Sequence, residues 1–176
     1  MLGSTPSQTV GPFFAFGLPF DGGERLVQDD GIWITGAVYD GAGEPVVDAL
    51  VEIWQANRHG RYRHPEDTRE ELPLEDGFDG FGRCATDENG EFRFYTVKPG
   101  ATAPHAPHIN VIVLARGLLR HLFTRIYFSD EEGANAADPL LSSIEDPAVR
   151  ETLIARDGRF DIHLQGERQT AFLDDV

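Results

Sequence analysis

The sequence predicts a mostly-β domain, a β-sandwich with long loops and one or two short helices. Three observations indicate this fold. Apolar segments of strand length recur between clusters of Gly, Pro, Asn and Asp. No internal repeat is evident, which argues against a solenoid or a propeller. The 176 residues, 40% of them hydrophobic and 26% charged, suit one domain with a real core. We therefore expect residues 1–176 to form a single domain.

Residues 1–30 are expected to form an irregular N-terminal arm. The arm is rich in glycine and proline yet carries four phenylalanines: Phe13, Phe14, Phe16 and Phe20. A segment of this kind cannot bury its own aromatic rings, so another surface has to cover them. That surface is either the body of this chain or a second subunit.

Seven apolar segments after residue 31 are predicted to be strands. Two pairs flank turn clusters and predict β-hairpins: "IWITGAVYD" with "ALVEIWQA" around "GAGEP", and "GRCAT" with "EFRFYTV" around "DENG". Two more, "HINVIVLA" and "LLRHLFTRIYF", are apolar on both faces, which is typical of central or interface strands. The last, "RFDIHLQG", alternates and places Phe160, Ile162 and Leu164 inward.

One helix and one long loop complete the prediction. Residues 146–156 have Asp146 at an N-cap position, Pro147 at the first helical position, and Val149 and Leu153 at i and i+4. Residues 63–80 are predicted to be a long acidic loop.

Charge and cysteine content exclude several classes of function. With 30 acidic and 15 basic residues the net charge is −15, which repels nucleic acid and anionic membranes. A small anionic substrate would need a local cation. Cys84 is the single cysteine, so an internal disulfide and a cysteine-rich metal cluster are excluded. No segment is apolar for long enough to span a bilayer and no leader is evident, so a cytoplasmic protein is expected.

Two stretches contain candidate metal ligands. In "APHAPHIN", His108 and Asn110 would share one face of a strand, but an asparagine amide is a poor ligand for Fe(III) or Zn(II). A structural histidine is therefore favoured over a metal site, and a pairing of His105 with His108 is a weaker alternative. In "GRYRH", Tyr62 between two arginines could ligate a ferric ion as a phenolate. On local evidence, a solvated loop whose charges face water is the favoured interpretation.

Several stretches together resemble the intradiol ring-cleavage dioxygenases, nearly end to end: "TPSQTVGPF", "VYDGAGEPVVDALVEIWQAN", "GRYRH", "FGRCATDENGEFRFYTVKPG", "APHIN", "LARGLLRHLFTRIYF" and "RFDIHLQGERQTAF". The resemblance implies a prealbumin-like β-sandwich. Active chains of the family hold non-haem Fe(III) with two tyrosines and two histidines. The matching positions here are Tyr62, Thr102, His108 and Asn110. Two of the four are not ligands, so no metal ligand and no catalytic residue is expected in this chain.

The resemblance also implies a partner and a substrate. It predicts a hetero-oligomer of alpha-beta protomers, in which an iron-bearing beta subunit of the same fold cleaves protocatechuate with O2 to 3-carboxy-cis,cis-muconate. This chain would contribute substrate-binding residues to that pocket: Thr9, Gly11, Pro12, Phe13 and Arg116. Arg116 would supply the cation that the substrate's carboxylate needs. Phe13 stands where a tyrosine is common, so a hydrogen bond from that position is not expected.

Two alternatives from other functional classes stay open. One is a prealbumin-like small-molecule binding module without a catalytic partner. The other is a self-sufficient homo-oligomeric dioxygenase, which Thr102 and Asn110 argue against.

Overall fold

The computed structural model describes residues 3–174, which form eight strands in two sheets. The strands are β1 Ile32–Tyr39, β2 Leu50–Gln55, β3 Phe81–Ala85, β4 Glu91–Thr96, β5 His108–Leu114, β6 Leu122–Phe128, β7 Ile154–Ala155 and β8 Ile162–His163. One sheet has the order β4–β1–β8 and the other β3–β2–β5–β6–β7. Apolar side chains from both sheets share one buried core, so the predicted mostly-β sandwich is confirmed. The single-domain boundaries stay a prediction.

Alternation along β5 decides which face of the larger sheet is free for function. Ile109, Val111 and Val113 are fully buried in the core, while Asn110 and Ile112 are half-buried on the opposite face. Because neighbouring strands in a sheet keep the same alternation, the outer face also carries alternate residues of β2 and β6. This outer face holds the site described below.

The two predicted β-hairpins are wrong. β1 pairs with β4 and β8, whereas β2 pairs with β3 and β5, so the members of each predicted pair lie in different sheets. The turn at "DENG" is present, since Asp87 Oδ1 accepts hydrogen bonds from the Asn89 and Glu91 amides. The chain reverses at this turn, but β3 and β4 join different sheets. In this arrangement the apolar face of each strand is buried by the opposing sheet.

Residues 3–174 contain four short helices, more than the one or two predicted: α1 Phe14–Gly17, α2 Glu132–Ala137, α3 Pro139–Ser143 and α4 Pro147–Glu151. The predicted start of α4 is confirmed, with Asp146 accepting a hydrogen bond from the Ala148 amide at 2.8 Å. The predicted end at residue 156 is wrong, because β7 follows and pairs with β6. No helix within the described residues is long and apolar enough to cross a membrane.

Candidate functional site

The outer face of the five-stranded sheet brings together three polar or aromatic side chains. Trp54 on β2 pairs with Asn110 on β5, and Asn110 pairs in turn with Arg125 on β6. The loop that follows β2 places Tyr62 above this row, where its ring stacks on Trp54 with 5.8 Å between centroids. Three strands and one loop therefore build the site.

A chain of hydrogen bonds fixes these side chains. Arg125 Nε donates to Asn110 Oδ1 at 2.9 Å, and Asn110 Nδ2 donates to the Tyr62 hydroxyl at 3.2 Å. Burial raises the pKa of Tyr62, and the bond from Asn110 and the charge of Arg125 offset only part of this rise. Tyr62 is therefore a neutral phenol at neutral pH.

A carboxylate, Asp138, lies behind Arg125 and is fully buried. Tyr127 separates the two charges: its hydroxyl donates to Asp138 Oδ1 at 3.3 Å and lies 3.5 Å from Arg125 Nη1. His105 Nδ1 lies 3.3 Å from Asp138 Oδ2. His105 thus pairs with a carboxylate, and its ring lies edge to face with that of His108 at 5.7 Å between centroids.

His108 lies at the start of β5 as a neutral, buried side chain. Its Nδ1 lies 2.8 Å from the Ala106 carbonyl oxygen, an acceptor, so Nδ1 carries the hydrogen. Burial lowers the pKa of His108 to about 4, and the nearby charge of Arg125 acts in the same direction. This arrangement matches the favoured interpretation, a structural histidine hydrogen-bonded near the core.

The four positions that match the family's iron ligands do not fit a ferric ion. Thr102 is engaged in a backbone bridge with His105, and the Asn110 amide is committed to Arg125 and Tyr62. The guanidinium of Arg125 is a permanent cation beside them, and it would repel Fe(III). Among residues 3–174, no group of three or more His, Cys, Asp or Glu side chains is placed to hold a metal ion.

The lowered pKa of His108 predicts a pH dependence of stability. Between pH 6.5 and 4 the unfolded chain binds the proton more readily, so we expect the free energy of unfolding to fall as the pH is lowered through this window. The loss amounts to about 3 kcal/mol for one buried imidazole, and the His108→Gln variant should not show it. Urea unfolding at a series of pH values measures this effect. The pKa of His163 is also lowered by burial, but this histidine contributes equally to the pH dependence of the parent chain and of the His108→Gln variant. Identical pH profiles would contradict the prediction.

A second group of predicted residues meets at the end of β5. The Thr9 hydroxyl accepts a hydrogen bond from the Gly117 amide at 2.8 Å, which ties the arm beside Arg116. The Arg116 side chain is 60% exposed and forms an ion pair with Asp48. The structure therefore brings two of the five predicted substrate-binding residues together.

The rest of the arm is only partly covered by the body of the chain. Gly11 and Pro12 are exposed, and Phe13 is 72% exposed and packs edge-to-face on Phe16, which is 71% exposed. Phe14, by contrast, is buried in this chain.

Two contacts fasten the end of the arm to β3. Arg83 Nη1 donates to the Leu18 carbonyl at 2.8 Å, and the ring of Phe20 stacks on Phe81 with 6.4 Å between centroids. Of the two surfaces considered from the sequence, the body of the chain covers part of the arm. The Phe13–Phe16 pair has no cover within residues 3–174.

The sequence reasoning missed Arg125 and Asp138. Arg125 is a charged residue among the mostly apolar residues 122–128, and a charge inside a predicted central strand is the signal that could have identified it. Asp138 precedes Pro139 and caps α3 through the Leu140 and Leu141 amides. This is the same Asp-Pro pattern that correctly predicted the start of α4.

Comparison with known proteins identifies relatives along nearly the whole chain. The family described as "Dioxygenase" matches residues 11–166. The chain is 43% identical to the protocatechuate 3,4-dioxygenase alpha chain of Pseudomonas putida, over 99% of this chain and 98% of that one. It is 40% identical to the protocatechuate 3,4-dioxygenase beta chain of Burkholderia cepacia, over 76% and 56% of the two chains. The solved dioxygenase domain of a carbohydrate-binding fusion from Streptomyces sp. SirexAA-E superposes with a TM-score of 0.60 at 27% identity, covering 84% and 88%.

Proposed function

The chain belongs to the intradiol ring-cleavage dioxygenases, and on that basis we propose that it is the iron-free alpha subunit of a protocatechuate 3,4-dioxygenase. It assembles with an iron-bearing beta subunit, and the pair cleaves protocatechuate with O2 to 3-carboxy-cis,cis-muconate. The Fe(III) that activates the catechol is held by the beta subunit. This chain contributes shape and charge to the pocket. The cytoplasmic location expected from the sequence stays a prediction.

One observation supports the assignment of the iron to the other subunit. Two of the family's four ligand positions, Tyr62 and Asn110, form a hydrogen-bonded row with Arg125, and the other two are Thr102 and the neutral, buried His108. A chain that keeps the fold along its whole length but not the metal donors supports a role beside another catalytic chain. The 43% identity to an alpha chain over 99% of the sequence supports the same role.

The contribution of this chain to the pocket is assigned to the pocket wall, which we define as Thr9, Gly11, Pro12, Phe13 and Arg116. The hydrogen bond from the Gly117 amide to the Thr9 hydroxyl holds the arm next to the segment that carries Arg116. Its backbone at Gly11 and Pro12 is exposed and stiffened by the proline ring, so a flat ligand can approach it closely. Arg116 supplies a cation in a chain whose net charge of −15 otherwise disfavours anions.

Expression with and without a beta subunit tests the proposed function. The chain alone is expected to be colourless and inactive on protocatechuate, with far less than one iron per chain. After co-expression with a protocatechuate 3,4-dioxygenase beta chain, we expect a coloured complex with one iron per alpha-beta pair and protocatechuate cleavage. Stoichiometric iron and activity in the chain alone would overturn the assignment. A stable chain that binds catechols but no beta subunit would favour the binding-module alternative.

The uncovered phenylalanines predict where the beta subunit docks. We expect the double variant Phe13→Ala/Phe16→Ala to weaken assembly with the beta subunit at least tenfold, since each buried aromatic contributes roughly 1.5–3 kcal/mol. The melting temperature of the chain alone should not change, because both rings are more than 70% exposed in it. Analytical ultracentrifugation of mixtures measures the assembly.

Two matched variants give this experiment its controls. Leu119→Ala removes another exposed apolar side chain, 62% exposed, and is expected to leave assembly unchanged. Phe14→Ala removes the buried ring and should lower the melting temperature of the chain alone. Normal assembly of the double variant would place the docking surface elsewhere.

A further inference from the structure

We propose that this chain has a binding site of its own for a small planar organic anion, such as an aromatic carboxylate, seated against Arg125 on the outer face of the five-stranded sheet. The site is separate from the pocket wall. It depends on the described residues of this chain alone, and so it does not rest on the proposed function.

The site is a cavity of about 390 Å³. This volume falls in the range of roughly 300–1,000 Å³ that small-molecule sites occupy. Its floor is the sheet itself, and four aromatic side chains contribute to its walls. The lining that matters here is Trp54, Tyr62, Phe81, Ile112, Phe123 and Arg125.

The buried cation in this cavity lacks a direct counter-charge. Arg125 is only 5% exposed, and within residues 3–174 no carboxylate oxygen lies within 4.0 Å of its nitrogens. Asp138 is reached only through Tyr127 and His105. A buried charge is costly unless it is paired, so an anion that enters the cavity and contacts the guanidinium is stabilised there.

The hydrogen-bond polarity of the row also favours an anion. Because Arg125 Nε can only donate, the Asn110 oxygen must face it, and the Asn110 amide group must face Tyr62. The Tyr62 oxygen is therefore an acceptor in this bond, which leaves its own O–H free to donate. Arg125 Nη2 likewise has no acceptor within residues 3–174. Tyr62 and Arg125 both line the cavity, and their two unused donors suit the two oxygens of a carboxylate.

The rest of the lining sets the shape and orientation of the ligand. Glu52 also lines the cavity, but its carboxylate is paired with Arg83 at 2.6 Å, so its negative charge is compensated within this chain. Phe81, Ile112 and Phe123 make the remaining lining apolar. A ligand with one carboxylate and a flat apolar body therefore binds with its carboxylate against Arg125 and its ring against these apolar side chains.

Binding of benzoate to the full chain purified without a partner tests this inference. Titration calorimetry gives the affinity, and quenching of Trp54 fluorescence, with Trp54→Phe as the reference for the other tryptophan, reports the place. We expect benzoate to bind at least tenfold more tightly than benzamide, which has the same shape without the charge. Tyr62→Phe should weaken benzoate binding about threefold to tenfold and Arg125→Gln at least tenfold.

Three results would overturn the proposal: equal affinities for benzoate and benzamide, no loss in Tyr62→Phe, or no quenching that depends on Trp54. Arg116→Ala distinguishes the two anion sites, because loss of benzoate binding in that variant would assign it to the pocket wall. If Arg125→Gln fails to fold, the benzoate–benzamide comparison and Tyr62→Phe still decide the question on folded protein. Failure of iron binding or assembly with a beta subunit would bear on the proposed function and not on this site.

Discussion

Replacing Arg116 by alanine in the assembled enzyme is expected to lower kcat/KM for protocatechuate by about tenfold to a hundredfold. A guanidinium that contacts a carboxylate in a partly desolvated pocket contributes roughly 1.5–3 kcal/mol. Plain catechol lacks the carboxylate, so its kcat/KM should change much less. Iron content should stay constant, because the metal is assigned to the beta subunit. Steady-state kinetics with both substrates and iron analysis of each preparation measure these effects.

The ion pair between Arg116 and Asp48 provides a control for this prediction. If Arg116 acts only by holding Asp48, then Asp48→Asn and Arg116→Ala should cause the same loss for both substrates. If Arg116 binds the carboxylate, Asp48→Asn removes a competing anion and should leave kcat/KM for protocatechuate equal or higher. Arg120→Ala removes another exposed arginine close in sequence and should have no effect. An unchanged kcat/KM in Arg116→Ala would remove this residue from the pocket wall.

The fold was predictable to the level of strands and layers, but strand pairing was not. Alternation in "HINVIVLA" correctly separates the core residues from the outer face, because it follows directly from the geometry of one strand. The turn at "DENG" was also found, since Asp87 and Gly90 shape it locally. A turn signal says only that the chain reverses, and burial against the second sheet decides which strand it joins.

The candidate site was likewise predictable where it depends on local sequence, but not where it depends on strand pairing. The sequence alone identified Tyr62, Asn110 and His108 as site positions. That Asn110 is a poor metal ligand follows from the chemistry of its side chain. Arg125, the charged residue of the site, lies 15 positions after Asn110 in the chain. The pairing of β5 with β6 brings the two residues together. The role of Arg125 depends on its burial and on the absence of a direct counter-charge. Neither property can be predicted from the sequence of one strand.

The buried carboxylate behind that site predicts the largest loss of stability in the chain. Asp138 accepts hydrogen bonds from the Ala106, Leu140 and Leu141 amides and from the Tyr127 hydroxyl while fully buried. Asp138→Ala leaves these donors unpaired and removes the one carboxylate of the Arg125 network. The expected cost is about 3–5 kcal/mol, which is a large part of the stability of most domains. For a chain of this size the melting temperature should fall by about 6–20 °C.

A matched control exists because the same Asp-Pro pattern occurs twice in the chain. Asp146 also caps a helix, but it is exposed and accepts one bond, from the Ala148 amide. Asp146→Ala should therefore cost only about 0.5–2 kcal/mol, the usual value of an N-cap. The difference between the two variants, measured by thermal and urea unfolding, isolates the effect of burial and of the network from that of capping. Equal losses would show that Asp138 acts as a cap alone.

Acid unfolding separates the charge of Asp138 from its hydrogen bonds. Burial by itself raises the pKa of this carboxyl, but the bonds from the Leu141 and Ala106 amides, with the charge of His105, leave it below the usual value. The stabilisation is therefore present above the unfolded pKa near 3.8 and is lost as the pH falls through the lower folded value. Asp138→Asn keeps one acceptor oxygen and should be less stable than the parent at pH 7, with the gap narrowing below pH 4. A gap that stays constant down to acid pH would mean that the ionised carboxylate contributes nothing beyond its shape.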